Sequence, residues 1–105
     1  MTEISVQDLK RRRDAGEPVV LLDVREPDEI ATAKLDGATF IPMREIPARF
    51  GELPHDTPIA VLCHSGGRSG RVTDFLHANG YTNAVNVAGG IDAWSATIDP
   101  SVPRY

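Results

Sequence analysis

The chain has one cysteine among its 105 residues, and that cysteine stands where two sequence patterns meet. Ahead of it, Ile59-Ala60-Val61-Leu62 is a short apolar run bounded by Pro58, the pattern of a buried strand. Behind it, His64-Ser65-Gly66-Gly67-Arg68-Ser69 leads into Gly70-Arg71-Val72-Thr73-Asp74-Phe75-Leu76, where Val72, Phe75 and Leu76 recur at helical spacing. Cys63 is thus expected at a strand end, in a glycine-rich turn that feeds a helix. A helix start offers unpaired backbone N–H groups and the positive end of the helix dipole. Gly66 and Gly67 permit turn conformations closed to other residues, so the amides from His64 to Ser69 can converge and hold an anion. Arg68 adds formal positive charge. Such surroundings lower a thiol pKa and favour the nucleophilic thiolate. A lone cysteine behind apolar residues also fits a small buried hydrophobe. An inert core position, however, needs neither two glycines nor an arginine beside it.

A single cysteine excludes an internal disulfide and a thiolate metal cluster. It also limits the chemistry: anything loaded onto Cys63 must leave for an external nucleophile such as a thiol. His55, His64 and His77 lack metal-ligand spacing, and neither a dinucleotide fingerprint nor a Walker loop occurs, so no metal or cofactor is expected. His64 can attract an anionic donor when protonated, but nothing marks it as a general base. His55 falls in a surface turn, Pro54-His55-Asp56-Thr57-Pro58, and His77 lies too far along its helix to serve Cys63.

Cys63-His64-Ser65-Gly66-Gly67-Arg68-Ser69 resembles the active-site loop of the rhodanese family, sulfurtransferases whose cysteine carries a persulfide. Leu21-Leu22-Asp23-Val24-Arg25-Glu26 and Gly37-Ala38-Thr39-Phe40-Ile41-Pro42 are similar to its two upstream motifs, and Val87-Ala88-Gly89-Gly90-Ile91-Asp92-Ala93-Trp94 to its closing motif. The chain departs from the usual pattern at Ala33 and Lys34, where the family has a glycine and a histidine. The resemblance implies sulfur transfer from thiosulfate or a persulfide, through Cys63, to a thiol or, in an assay, to cyanide. It makes Cys63 and Arg68 the catalytic pair, with His64, Ser65, Gly66, Gly67 and Ser69 binding substrate and Asp23 and Arg25 supporting the loop. Residues 89–95 and the tail resemble the rhodanese domain fused to adenylyltransferases that supply sulfur carrier proteins. A sulfur carrier protein or a cysteine desulfurase is therefore an expected partner.

Two other functions compete for the same residues. Related folds perform phosphatase or arsenate reductase chemistry with five residues between cysteine and arginine. Here four residues separate Cys63 from Arg68, a shorter ring of amides that suits a sulfur atom better than a tetrahedral oxyanion. The other alternative is a noncatalytic binding or sensing domain that retains the fold.

The elements that must position Cys63 alternate along the chain. Glu3-Ile4-Ser5 reads as a short edge strand, and Ser5 with Asp8 as a helix cap. Val6 and Leu9 give the first helix an apolar face, and Gly16 ends it. Val19-Val20-Leu21-Leu22-Asp23 is a continuous apolar run, as a central parallel strand requires, with Asp23 and Arg25 at its functional end, where an ion pair tying loop to helix is the ordinary alternative. Pro27 and the acids around it suit a first helical turn. Thr39-Phe40-Ile41 is a strand, and Met43 to Leu53 a helical segment interrupted by Pro47. Ser69 is expected to cap the helix that runs to about Asn79, before the last strand, Ala84-Val85-Asn86-Val87, and a short helix with Ile91 and Trp94 facing the core. The prolines of residues 98–105 forbid regular structure. This succession implies one α/β domain over residues 1–105, and by resemblance a rhodanese-like fold: a mostly parallel five-stranded sheet flanked by helices on both faces.

Composition agrees with a small folded domain. Fifteen acidic against eleven basic residues give a net charge of −4. Lys10-Arg11-Arg12-Arg13 is basic, but it falls at a helix end where cations are favourable and acids follow closely, so nucleic-acid binding is not expected. No apolar stretch approaches the ~20 residues that span a bilayer. With no charged prefix and apolar signal core in the opening residues, a cytoplasmic location is expected.

Overall fold

The apolar runs become the middle of one sheet. The computed structural model describes residues 2–105 and has five strands: β1 (Glu3–Ile4), β2 (Val20–Asp23), β3 (Thr39–Phe40), β4 (Ile59–Leu62) and β5 (Ala84–Val87), in spatial order β1-β5-β4-β2-β3. Every pairing is parallel, so the sheet expected to be mostly parallel is wholly so. β4 is central, with Ile59 to Leu62 in register with Val20 to Asp23 on one side and Ile59 to Val61 with Ala84 to Asn86 on the other. All four residues of β4 are buried, as a strand covered on both faces requires.

Alternation along β4 divides the core in two. Ile59, Val61 and Cys63 point into a cluster with Leu22, Val24, Val72, Leu76 and Tyr81. Ala60 and Leu62 face the opposite cluster, with Val6, Leu9, Ile91 and Trp94. Helices α1 (Val6–Asp14) and α5 (Gly90–Thr97) cover the second face, and α3 (Ile46–Arg49) and α4 (Gly67–Ala78) the first. Short 3-10 turns at Met43–Glu45 and Phe50–Glu52 flank α3, and Pro47 lies in its first turn, where a proline costs no hydrogen bond. The Ser5 hydroxyl accepts the Asp8 amide at the start of α1. The basic run of α1 is consumed locally: Asp8 takes Arg11 and Arg12, Lys10 reaches Asp14, and Arg13 donates to the Asp36 carbonyl and lies over Trp94.

Because all strands run the same way, three carboxyl ends emerge side by side at one edge. From β2 comes Asp23-Val24-Arg25, from β4 Cys63 and its loop, and from β5 the turn at Gly89-Gly90. Such an edge is where open α/β sheets place their ligands.

Candidate active site

Cys63 is the residue after β4, and the chain returns into α4 within four residues. Gly66 makes this possible: its φ of +109° lies in the region that favours glycine, and it serves as the N-cap of α4. Its amide points back at Cys63 Sγ across 3.0 Å. Gly67 is already helical and has no left-handed φ. Ser69 does not cap the helix as the sequence reading expected. Since Gly66 turns the chain first, Ser69 falls inside the first turn, fully buried, with its hydroxyl 3.2 Å from Cys63 Sγ and 2.5 Å from Asn86 Oδ1. Its single proton serves one acceptor at a time. An ionised sulfur takes it through the stronger, charge-assisted bond, and a neutral sulfur leaves it to Asn86.

Cys63 is 1% exposed. Burial alone pushes its thiol pKa up. The Ser69 hydroxyl and the amides of Ser69, Gly66 and Ser65 act against burial and prevail, so the thiol lies below its ordinary value. The dipole of the twelve-residue α4 works in the same direction.

The loop is fixed from the opposite side by α5. The Ile91 amide donates to the Cys63 carbonyl at 2.9 Å and the Asp92 amide to the His64 carbonyl at 3.0 Å. Gly89 and Gly90, with φ of +76° and +61°, bring these amides close enough. A Cβ on Gly90 would stand 2.4 Å from the Cys63 carbonyl oxygen.

Asp23 and Arg25 form the ion pair foreseen as the ordinary alternative, and both are buried. The Arg25 guanidinium meets the Asp23 carboxylate at 2.8 to 3.2 Å and also donates to the Ala33 carbonyl at 2.8 Å. It thereby ties the end of β2 to the end of α2 (Pro27–Thr32). Burial disfavours its charge, but the Asp23 carboxylate and the Tyr105 hydroxyl outweigh burial and raise its pKa.

Arg68 does not stand free over the loop. Glu29 of α2 grips its guanidinium with both carboxylate oxygens, at 2.5 and 2.8 Å, and Cys63 lies within its field. Glu29 also closes the capping box of α2 by accepting the Glu26 amide. Arg68 lowers the Glu29 carboxyl most; despite burial, and with help from the Glu26 amide and Tyr105, its pKa falls to about 2.

Three residues at the site escaped the sequence reading: Glu29, Asn86 and Tyr105. Glu29 shows only as one acid among several at a helix start. Asn86 carries a signal, since an amide inside a four-residue apolar strand must find partners. It finds the Ser69 hydroxyl, the Gly66 carbonyl and the Glu3 carboxylate. Tyr105 carries no local signal. Its ring stacks on His64, with centroids 4.2 Å apart, and its hydroxyl donates to Glu29 and accepts from Arg25. Of the other loop side chains, Ser65 is exposed, and His64 Nε2 has no hydrogen-bond partner among the described residues. His77 bonds the Ala84 carbonyl and exposed His55 stacks on Tyr81, both away from Cys63. A cleft of about 560 Å³ between Arg13, Lys34 and Trp94 contains none of residues 63–69.

A buried thiol held by loop amides at the start of a helix, on an all-parallel sheet ordered β1-β5-β4-β2-β3, coincides with a family match. The sequence pattern described as the rhodanese-like domain matches residues 5–97. The chain belongs to the rhodanese-like family. A sulfurtransferase of Allochromatium vinosum is 38% identical over 95 residues, covering 90% of this chain and 89% of that protein. A rhodanese-like domain protein of Staphylococcus aureus has a crystal structure that superposes with a TM-score of 0.86 at 33% identity, covering 100% of this chain and 99% of that one. A probable adenylyltransferase/sulfurtransferase of Mycobacterium tuberculosis, MoeZ, is 33% identical over 104 residues; these span 97% of this chain and 26% of that protein.

Proposed function

We propose that this rhodanese-like chain is a sulfurtransferase that carries sulfane sulfur as a Cys63 persulfide. One observation supports this reading above the others: a buried, unpaired Cys63 whose sulfur faces the Gly66 amide at 3.0 Å and the Ser69 hydroxyl at 3.2 Å. In the first step the Cys63 thiolate attacks the outer sulfur of thiosulfate or of a persulfide. The bond from Cys63 Sγ to that sulfur forms, the donor S–S bond breaks, and its electron pair leaves with sulfite or with the donor thiolate. In the second step an external thiolate attacks the outer sulfur of the Cys63 persulfide and releases the Cys63 thiolate. The amides of Ser65, Gly66 and Ser69 and the Ser69 hydroxyl stabilise the charge that passes between the two sulfurs. Arg68 is the loop's own cation, held in an ion pair by Glu29, and Asp23 and Arg25 brace the loop's support.

The names of relatives support a protein partner. One relative, of Bacillus subtilis, is named a putative sulfur carrier protein, and others combine adenylyltransferase with sulfurtransferase. A sulfur carrier protein as acceptor and a cysteine desulfurase as donor fit this chain's need for external partners. Dependence on an external thiol suits the reducing cytoplasm. Among the described residues no helix is long and apolar enough to cross a membrane.

The test is mass. Incubation with thiosulfate or a persulfide should add one sulfur, ~32 Da, to the chain by exchange at the thiol. Excess thiol should remove it, and Cys63→Ser should never acquire it. A wild-type chain that gains no reducible sulfur from any of several competent donors refutes the assignment.

A further inference from the structure

Around the cysteine loop, three arginines already have a carboxylate. Arg25 is paired with Asp23, Arg68 with Glu29, and Arg104 with Asp92, whose amide holds the His64 carbonyl. The Glu29 pair is the one nearest the reaction, because its arginine belongs to the loop itself. Four donors saturate the Glu29 carboxylate: the Glu26 amide, both Arg68 terminal nitrogens and the Tyr105 hydroxyl. The pair is also shielded, with side chains 31% exposed for Arg68 and 16% for Glu29. A guanidinium held in this bidentate geometry cannot also turn its fork toward an incoming anion. The arginine that the loop motif supplies for an anionic donor is thus neutralised by a residue 39 positions away.

Thiosulfate is a dianion, and it must approach a sulfur that is itself a thiolate. With Arg68 held by Glu29 this approach is disfavoured, whereas a persulfide brings at most one charge on its reacting end. We infer that Glu29 is a specificity-determining residue that, by holding Arg68, turns the enzyme away from thiosulfate and toward persulfide donors. This rests on the Cys63 persulfide reading and narrows its donor class. Both reactions balance: thiosulfate would leave as sulfite and a persulfide RSSH as the thiolate RS⁻, each delivering one sulfane sulfur to Cys63.

The test compares two donors, thiosulfate and the hydropersulfide of 2-mercaptoethanol, by the rate of mass gain at pH 8, where an ordinary imidazole is uncharged. Glu29→Gln keeps an acceptor for the Glu26 amide while removing the charge that neutralises Arg68. It should raise the ratio of thiosulfate to persulfide loading roughly tenfold, the scale of one added charge interaction at a partly shielded site. The gain should shrink with added salt. It should vanish in Glu29→Gln/Arg68→Gln, because the released charge belongs to Arg68. An unchanged ratio in Glu29→Gln, or a gain that survives loss of Arg68, overturns the inference while persulfide loading of the wild type leaves the Cys63 reading intact. Failure of every variant and the wild type to load from either donor overturns both.

Discussion

Replacing Gly90 with alanine tests whether α5 holds the cysteine loop. Gly90 has φ of +61°, a conformation that costs a residue with a Cβ about 1–2 kcal/mol. The new Cβ would lie 2.4 Å from the Cys63 carbonyl oxygen and 2.5 Å from that of His64. These are backbone atoms, so no side chain can swing aside. To reach ordinary contact the loop must retreat by about 1 Å, and overpacking of that kind adds about 1–3 kcal/mol. The total, about 2–5 kcal/mol, is a large part of a small domain's stability. At about 4–8 °C per kcal/mol, the melting temperature should fall by at least ~8 °C. The retreat would also break the bonds from Ile91 and Asp92 to the loop, so alkylation of Cys63 at neutral pH should slow as its sulfur leaves the Gly66 amide. Gly67→Ala is the control. Nothing lies within 4 Å of its Cβ position and its φ is not left-handed, so stability should stay level or rise by up to about 1 kcal/mol. Thermal unfolding and iodoacetamide rates on both variants decide the matter. A Gly90→Ala protein that melts within ~2 °C of wild type, with unchanged alkylation, would refute the reasoning.

Two further outcomes follow from the site. Ser69→Ala removes the hydroxyl that favours the thiolate, so the Cys63 pKa should rise; a hydrogen bond to a charged group is worth about 1.5–3 kcal/mol, and iodoacetamide reaction at pH 7 should slow roughly tenfold or more. The rate-against-pH profile checks this, and an unshifted profile would show that the amides suffice. Glu29 titrates at about 2 in the folded chain, below the ordinary carboxylate, so its ion pair contributes fully above about pH 4.5 and fades as pH falls toward 2. Urea midpoints should therefore show a wild-type advantage over Glu29→Gln of up to about 1 kcal/mol at pH 6, after allowance for solvent screening, that closes near pH 2; a constant gap would contradict it.

Much of the site's local architecture was legible from residue order. The apolar run before Cys63 and the helical spacing after it placed the cysteine at a strand end, because burial and periodicity act over a few residues. The positive φ of Gly66 follows from the same stretch. The error at Ser69 arose one step beyond: serine commonly caps helices, but Gly66 turned the chain three residues earlier and sent the hydroxyl inward. Arg25 was placed beside Asp23 because the two are neighbours in sequence, yet its bond to Tyr105 spans 80 positions. Similarly, Glu29 read as an acid suited to a helix dipole, and its grip on Arg68 became visible only when α2 and α4 were brought together. Asn86 meets Ser69 because β5 lies beside β4, and Ile91 meets Cys63 for the same reason. Local sequence thus determined the cysteine, its loop and the amides that face its sulfur. The charge balance at the loop mouth was decided by the strand order β1-β5-β4-β2-β3, since side chains distant in sequence meet only after the sheet has chosen its neighbours.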